Sequence, residues 1–161
     1  MVNLTNDQII QKATDLLGKH GFTKPPIDPE FIAENMGVNV VYVEFTGEAN
    51  EMVHGFFDSQ DDTIYVNRKD TVSEKMFTVA HELGHKVLHE DYLKDAAKYI
   101  ARMKEPHGAM VPQEREADLF ARALIAPKDM VDRYSKFASQ VEMEQMFLTN
   151  HRLIKAPLVA E

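Results

Sequence analysis

The chain has 161 residues, 44% hydrophobic and 27% charged, which is the composition of one soluble globular domain, with or without a small appendage. A net charge of -8 argues against nucleic acid as a direct partner, because duplex binding needs a concentrated positive face. There is no cysteine, so disulfides and thiolate metal ligands are excluded, and no run approaches the roughly 18 apolar residues that span a bilayer.

The N-terminal Met-Val-Asn-Leu-Thr-Asn-Asp has neither a basic region nor an apolar stretch, which predicts a cytoplasmic protein without a secretory signal or membrane association. From Thr5 or Asn6, the residues Ile9, Ala13, Leu16 and Leu17 recur at helical spacing until Gly21. After the stiff Pro25-Pro26 link, Asp28 to Met36 reads as a short helix with Asp28 as cap and Pro29 at its first position. The period then changes. Val38 to Phe45 is β-branched and aromatic, and Val53 to Asp58 and Thr63 to Asn67 follow as further strands. Their short links predict a three-stranded antiparallel meander. Beyond Thr71 the pattern is helical: Ser73 to about Glu90, Tyr92 to about Lys104, Gln113 to Ala126 and Lys128 to about Ala138. A Met-rich amphipathic tail follows Ser139.

His-Glu-Leu-Gly-His at 81–85 carries the chemistry. On a helical wheel Met76, Ala80, Leu83 and Val87 share one side, while Thr78, His81, Glu82, His85 and His89 share the opposite side. His81 and His85, one turn apart, can face one zinc ion, with Glu82 beside them as general base. Gly84 costs about 1 kcal/mol relative to alanine inside a helix, which predicts close approach by another backbone there. A third histidine at the metzincin spacing would fall on Asp91, and the glycine of that pattern is Leu88, so that class is disfavoured.

Glu114-Arg-Glu-Ala-Asp118 offers the third ligand instead. Glu114 and Asp118 lie one turn apart, so Glu114 can bind the metal while Asp118 accepts a hydrogen bond from a ligating histidine. Glu116 falls on nearly the opposite face and reads, with Arg115, as solvated. His89 continues the histidine stripe but is too far along the helix to join the same ion. It reads equally as a group supporting the site or binding substrate, or as a surface histidine. His54, His107, Tyr65 and Tyr92 are candidate oxyanion donors, with Tyr65 also a possible supporting or substrate-binding residue. His20 and His151 read as structural or exposed.

These residues resemble a known family. Phe77 to His89 and Glu114 to Pro127 look like the two signature segments of the ImmA/IrrE family of gluzincin-type metallopeptidases. The likeness extends over Pro29 to Gly37 and Ile64 to Asn67, roughly residues 25 to 135. It implies an α+β, minimal zincin-like fold, with a small sheet packed on the active-site helix and a mostly helical C-terminal half. The metallopeptidase domain would cover residues 1–138, with N-terminal helices at 1–37, a sheet at 38–67 and catalytic helices at 71–138. Residues 139–161 would form a short helical tail. It also implies zinc held by His81, His85 and Glu114, Glu82 as catalytic base, and a helix-turn-helix repressor as substrate. Ile125-Ala126-Pro127 stands where the family has Leu-Met-Pro, a conservative change. The end of the chain at Glu161 leaves no room for the additional domain of longer members, so regulation is expected from a partner, metal supply or proteolysis.

Two other readings stand beside the endopeptidase. One is a zincin scaffold that docks on a repressor or toxin–antitoxin partner without cutting it. The other is a zinc hydrolase of small amide or peptide substrates. An extended substrate could pair with Thr63 to Asn67 if that strand is a sheet edge.

Overall fold

The computed structural model describes residues 3–95, 101–104 and 111–155. Helix α1 (Asn6–Lys19) begins at Thr5, which exchanges side-chain and backbone hydrogen bonds with Gln8 and so satisfies two helix-end amides. Ile9, Ala13 and Leu17, one turn apart, form its buried face. Helix α2 (Pro29–Asn35) is capped by Asp28, whose carboxylate accepts from the Phe31 amide at 3.1 Å. Gly37 follows at φ 81°, a conformation that suits glycine and redirects the chain into strand β1 (Asn39–Val43).

A helical turn, α3 (Ala49–Met52), leads into β2 (Val53–Asp58), and a turn with Asp62 at φ 49° returns as β3 (Thr63–Asn67). Helix α4 (Val72–Leu88) opens with a reciprocal cap between Thr71 and Glu74 and stops where His89 leaves the helical region, at φ -129° and ψ 33°. After the short α5 (Glu90–Leu93) come β4 (Arg102–Met103), α6 (Pro112–Ile125), α7 (Lys128–Tyr134), α8 (Gln140–Phe147) and α9 (His151–Lys155).

The α+β class and zincin-like fold agree with expectation, but the strand pairing does not. The sheet has four strands in the order β1-β3-β2-β4. β1 runs parallel to β3, from Asn39 opposite Thr63 to Val43 opposite Asn67, so the expected antiparallel meander is corrected to a mixed sheet. The physical reason lies in the link between β1 and β2. Residues 44–52, with α3 inside them, carry the chain past the place where β3 inserts. Buried Asn67 fastens this crossing by donating to the carbonyls of Asn50 and Val53 at 2.8 and 2.9 Å. Thr63, Ile64, Val66 and Asn67 are all buried, as befits a central strand. Thr63 to Asn67 is therefore not a sheet edge, and substrate pairing along it is excluded.

The helix expected from Tyr92 to Lys104 is also corrected. Among the described residues of that stretch only Glu90–Leu93 is helical, residues 96–100 lie outside them, and Arg102–Met103 pairs with β2 at Gly55 and Val53. The outer edge of β2 would otherwise carry unpaired backbone groups, and this short strand satisfies part of it.

The core lies where α6 packs against both α1 and α4, with α2 on α4 and the sheet against α4. Ala80 and Leu83 of α4 meet Phe120, Ala121 and Leu124 of α6 in one cluster, which also takes in Met143 and Phe147 of α8. Gly84 marks the close approach expected of it: a Cβ there would lie 3.0 Å from Phe120 Cδ1 and 3.3 Å from the Ala117 Cα. Gly55 does the same between β2 and α4, where a Cβ would meet the Tyr65 carbonyl at 2.3 Å and Thr78 Cγ2 at 2.7 Å.

Candidate metal centre

The face of α4 set apart by its polar residues is not exposed. Every residue from Phe77 to His85 is buried, because α6 covers the histidine stripe from the other side. A buried polar stripe must find partners, and α6 supplies them. His81 Nδ1 donates to Asp118 Oδ1 at 2.8 Å, while its Nε2 stands 3.1 Å from Glu114 Oε2. His85 Nε2 stands 3.1 Å from the other oxygen, Glu114 Oε1. The two Nε2 atoms are 3.2 Å apart. Glu82, between the two histidines in sequence, is fully buried.

This arrangement fits a metal ion. One donor atom each from His81, His85 and Glu114 lies within 4.8 Å of the others, the single such group among the described residues. Around a tetrahedral ion with bonds of about 2.0–2.1 Å, neighbouring donors stand about 3.3–3.4 Å apart, close to the spacing of the two ring nitrogens. Without a metal, the cluster holds a proton on His81 and a negative charge on Glu114. Burial pulls the His81 pKa down, but hydrogen bonds to Asp118 and Glu114 and the Glu82 charge outweigh it and leave the ring at about 9. Burial pushes Glu114 up, yet hydrogen bonds from His81 and His85 hold its carboxyl at about 2.

His89 sits at the junction of α4 and α5, one turn after His85. Its Nδ1 lies 3.1 Å from His85 Nδ1 and its Nε2 lies 2.7 Å from Glu116 Oε2. Glu116 is thus not the solvated residue its wheel position predicts. Its side chain is 23% exposed and bonded to His89. A helix position alone does not say which neighbouring helix covers it, and here α4 does.

The remaining candidates separate clearly. Tyr92 packs edge-on to His89 at 6.4 Å, and burial followed by the Glu114 charge raises its hydroxyl pKa. Tyr65 is not brought to the cluster: it stacks on Phe56 at 5.0 Å and donates to Asp61 at 2.9 Å. His54 is bonded to buried Asp70, which also pairs with Lys104 at 3.0 Å. His107 lies outside the described residues. His20 bonds to the Leu16 carbonyl and His151 is exposed, as expected.

One residue near the site had no sequence signal. Arg102 of β4 donates to Thr78 Oγ1 at 2.8 Å and lies 4.6 Å from the centre of the Phe77 ring. Burial lowers its pKa against the opposing charges of Asp118, Glu82, Asp70 and Glu74. It brings a guanidinium into an otherwise acidic cluster, and only the pairing of β4 with β2 puts it there.

Residues 33–144 match the family Peptidase_M78, described as the IrrE N-terminal-like domain. The chain belongs to that family. No curated protein gives a significant match. Among solved structures, a Mycobacterium tuberculosis transcriptional regulator is similar in fold, with a TM-score of 0.61 and 11% identity. The alignment covers 92% of this chain and 45% of that one, so this chain spans less than half the length of its structural neighbour. Membership of a metallopeptidase family implies a metal cofactor, and His81, His85 and Glu114 are the group that can hold one. Among the described residues no helix is long and apolar enough to cross a membrane.

Proposed function

We propose that this domain is a zinc-dependent endopeptidase that cleaves a helix-turn-helix repressor, with His81, His85 and Glu114 as zinc ligands and Glu82 as general base. The observation that carries the proposal is the convergence of two imidazole nitrogens on one carboxylate, with a buried glutamate in the intervening turn. Zinc supplies Lewis-acid chemistry at such a site, polarising the scissile carbonyl and lowering the pKa of water. Glu82 accepts the proton of the attacking water and returns it to the departing amide nitrogen. Asp118 fixes the His81 ring through Nδ1, leaving Nε2 for the metal. Among the described residues, we assign the steadying of the developing oxyanion to Tyr92, which packs edge-on to His89 and feels the Glu114 charge. Charge supports the choice of substrate, because a chain at -8 attracts a basic DNA-binding protein and repels DNA.

A second reading draws on the structural neighbour, a longer chain described as a transcriptional regulator. There the scaffold would act as a binding module that engages a repressor without cutting it. Incubating the zinc-loaded protein and its Glu82→Gln variant with a panel of helix-turn-helix repressors from the same genome separates the two. Cleavage by the parent alone supports the peptidase. Binding by both without cleavage overturns it in favour of the module.

A further inference from the structure

His89 and Glu116 lie outside the proposed ligand set, yet His89 is buried and both belong to one continuous hydrogen-bonded chain. We infer that Glu116, acting through His89, is the positioning residue for His85, holding the tautomer and ring orientation that this ligand needs. The inference rests on the metal-site reading above and extends it to the ligand that Asp118 does not touch.

The ring protons fix the direction of each bond. His85 turns Nε2 toward His81 and Glu114, so Nε2 must present a lone pair when it ligates a metal. The ring proton of a neutral His85 then resides on Nδ1. That atom faces His89 Nδ1 at 3.1 Å, and two ring nitrogens can share a hydrogen bond only if one donates and the other accepts. His89 Nδ1 therefore accepts, and its own proton sits on Nε2. Nε2–H in turn donates to Glu116 Oε2 at 2.7 Å, where a carboxylate is an acceptor without any proton of its own. A single proton arrangement satisfies the row Glu116–His89–His85. Reversing any bond would place a proton on the His85 nitrogen that must bind metal.

The two histidine ligands are thereby oriented by different devices from the same helix. His81 is held directly by Asp118, whereas His85 is held by Glu116 at one remove. His89 closes α4 one turn after His85, and its ring lies 5.2 Å from the His85 ring, as side chains four residues apart on a helix can. Outer hydrogen-bond partners of metal ligands typically contribute about 10–100-fold to metal affinity.

The test measures zinc affinity by competition with a chromophoric chelator for the parent, Glu116→Ala and Glu116→Gln. In parallel, ¹⁵N-imidazole NMR of the zinc-loaded parent reads the His89 tautomer. The inference predicts His89 protonated at Nε2 and bare at Nδ1, an affinity loss of about 10-fold or more in Glu116→Ala, and most of that loss recovered in Glu116→Gln, whose amide oxygen still accepts. A His89 proton on Nδ1, or a Glu116→Ala protein that binds zinc like the parent, overturns it. Failure of the parent itself to bind zinc overturns the metal-site reading as a whole, which is a different result. The NMR measurement uses the unaltered protein, so it decides the matter even if a variant fails to fold.

Discussion

Replacing Gly84 by alanine sets helix propensity directly against packing. In an exposed helix the change would stabilise by about 1 kcal/mol. At Gly84 the new methyl would lie 3.0 Å from Phe120 Cδ1 and 3.3 Å from both the Cα and the carbonyl oxygen of Ala117. Two of these three contacts are backbone, so relief requires α6 to move outward by a few tenths of an ångström. Overpacking of this kind costs about 1–3 kcal/mol, so the net expectation is a loss of about 1 kcal/mol, or roughly 2–4 °C in Tm for a domain of this size. The displacement has a functional consequence, because Ala117 lies one turn after Glu114 on α6. Moving that helix draws the carboxylate away from His81 and His85, and metal affinity falls with stability. Gly18 near the end of α1 is the control: a Cβ there meets nothing within 4 Å, and Gly18→Ala should stabilise by about 0.5 kcal/mol. The assay is thermal unfolding of both variants in chelator, followed by zinc titration. A Gly84→Ala protein that gains as much stability as Gly18→Ala and binds metal normally would refute the packing argument.

Four further outcomes follow from the same site. Because His81 titrates at about 9 in the metal-free protein, a proton must leave it before metal binds, so zinc affinity should rise about tenfold per pH unit between pH 6 and 8. The sign for folding is opposite. The raised His81 pKa stabilises the metal-free protein below about 6.5, a contribution lost as pH rises through 9, while Glu114, depressed to about 2, contributes above about 4.5 and loses its effect as pH falls toward 2. Metal-free Tm should therefore fall from pH 6.5 to 9, and a flat profile would contradict the pairing. Asp118→Ala should weaken zinc binding about 10–100-fold by freeing the His81 ring, checked by the same chelator competition. Arg102→Ala should destabilise by about 3 kcal/mol in chemical unfolding, since it removes a buried guanidinium that bonds to Thr78 and is attracted by Asp118, Glu82, Asp70 and Glu74.

Much of the site was legible because its determinants are local. His81, Glu82 and His85 are placed by the period of one helix, and Glu114 and Asp118 by the period of another. Spacing alone therefore shows which side chains share a face. The α+β class follows equally from the change of period after Gly37. The errors all arose where a partner distant in sequence decides the outcome. Short links around β1, β2 and β3 suggested a meander, but burial on both faces selects Thr63 to Asn67 as the central strand. Arg102 reads as helical in isolation and becomes a strand residue because β2 has an edge to fill. Glu116 reads as solvated, yet the packing of α6 on α4 brings it to His89.

The sequence by itself thus determined the chemistry on offer: two imidazoles, two glutamates and an aspartate at spacings that only helices can use. Tertiary structure decided which groups meet. Periodicity along one element is a one-dimensional property, whereas the joining of Glu116 to His89 and of Arg102 to Thr78 depends on where separate elements come to rest. That position is set by burial of the α4–α6 interface around Gly84 and by the hydrogen bonding of a strand edge.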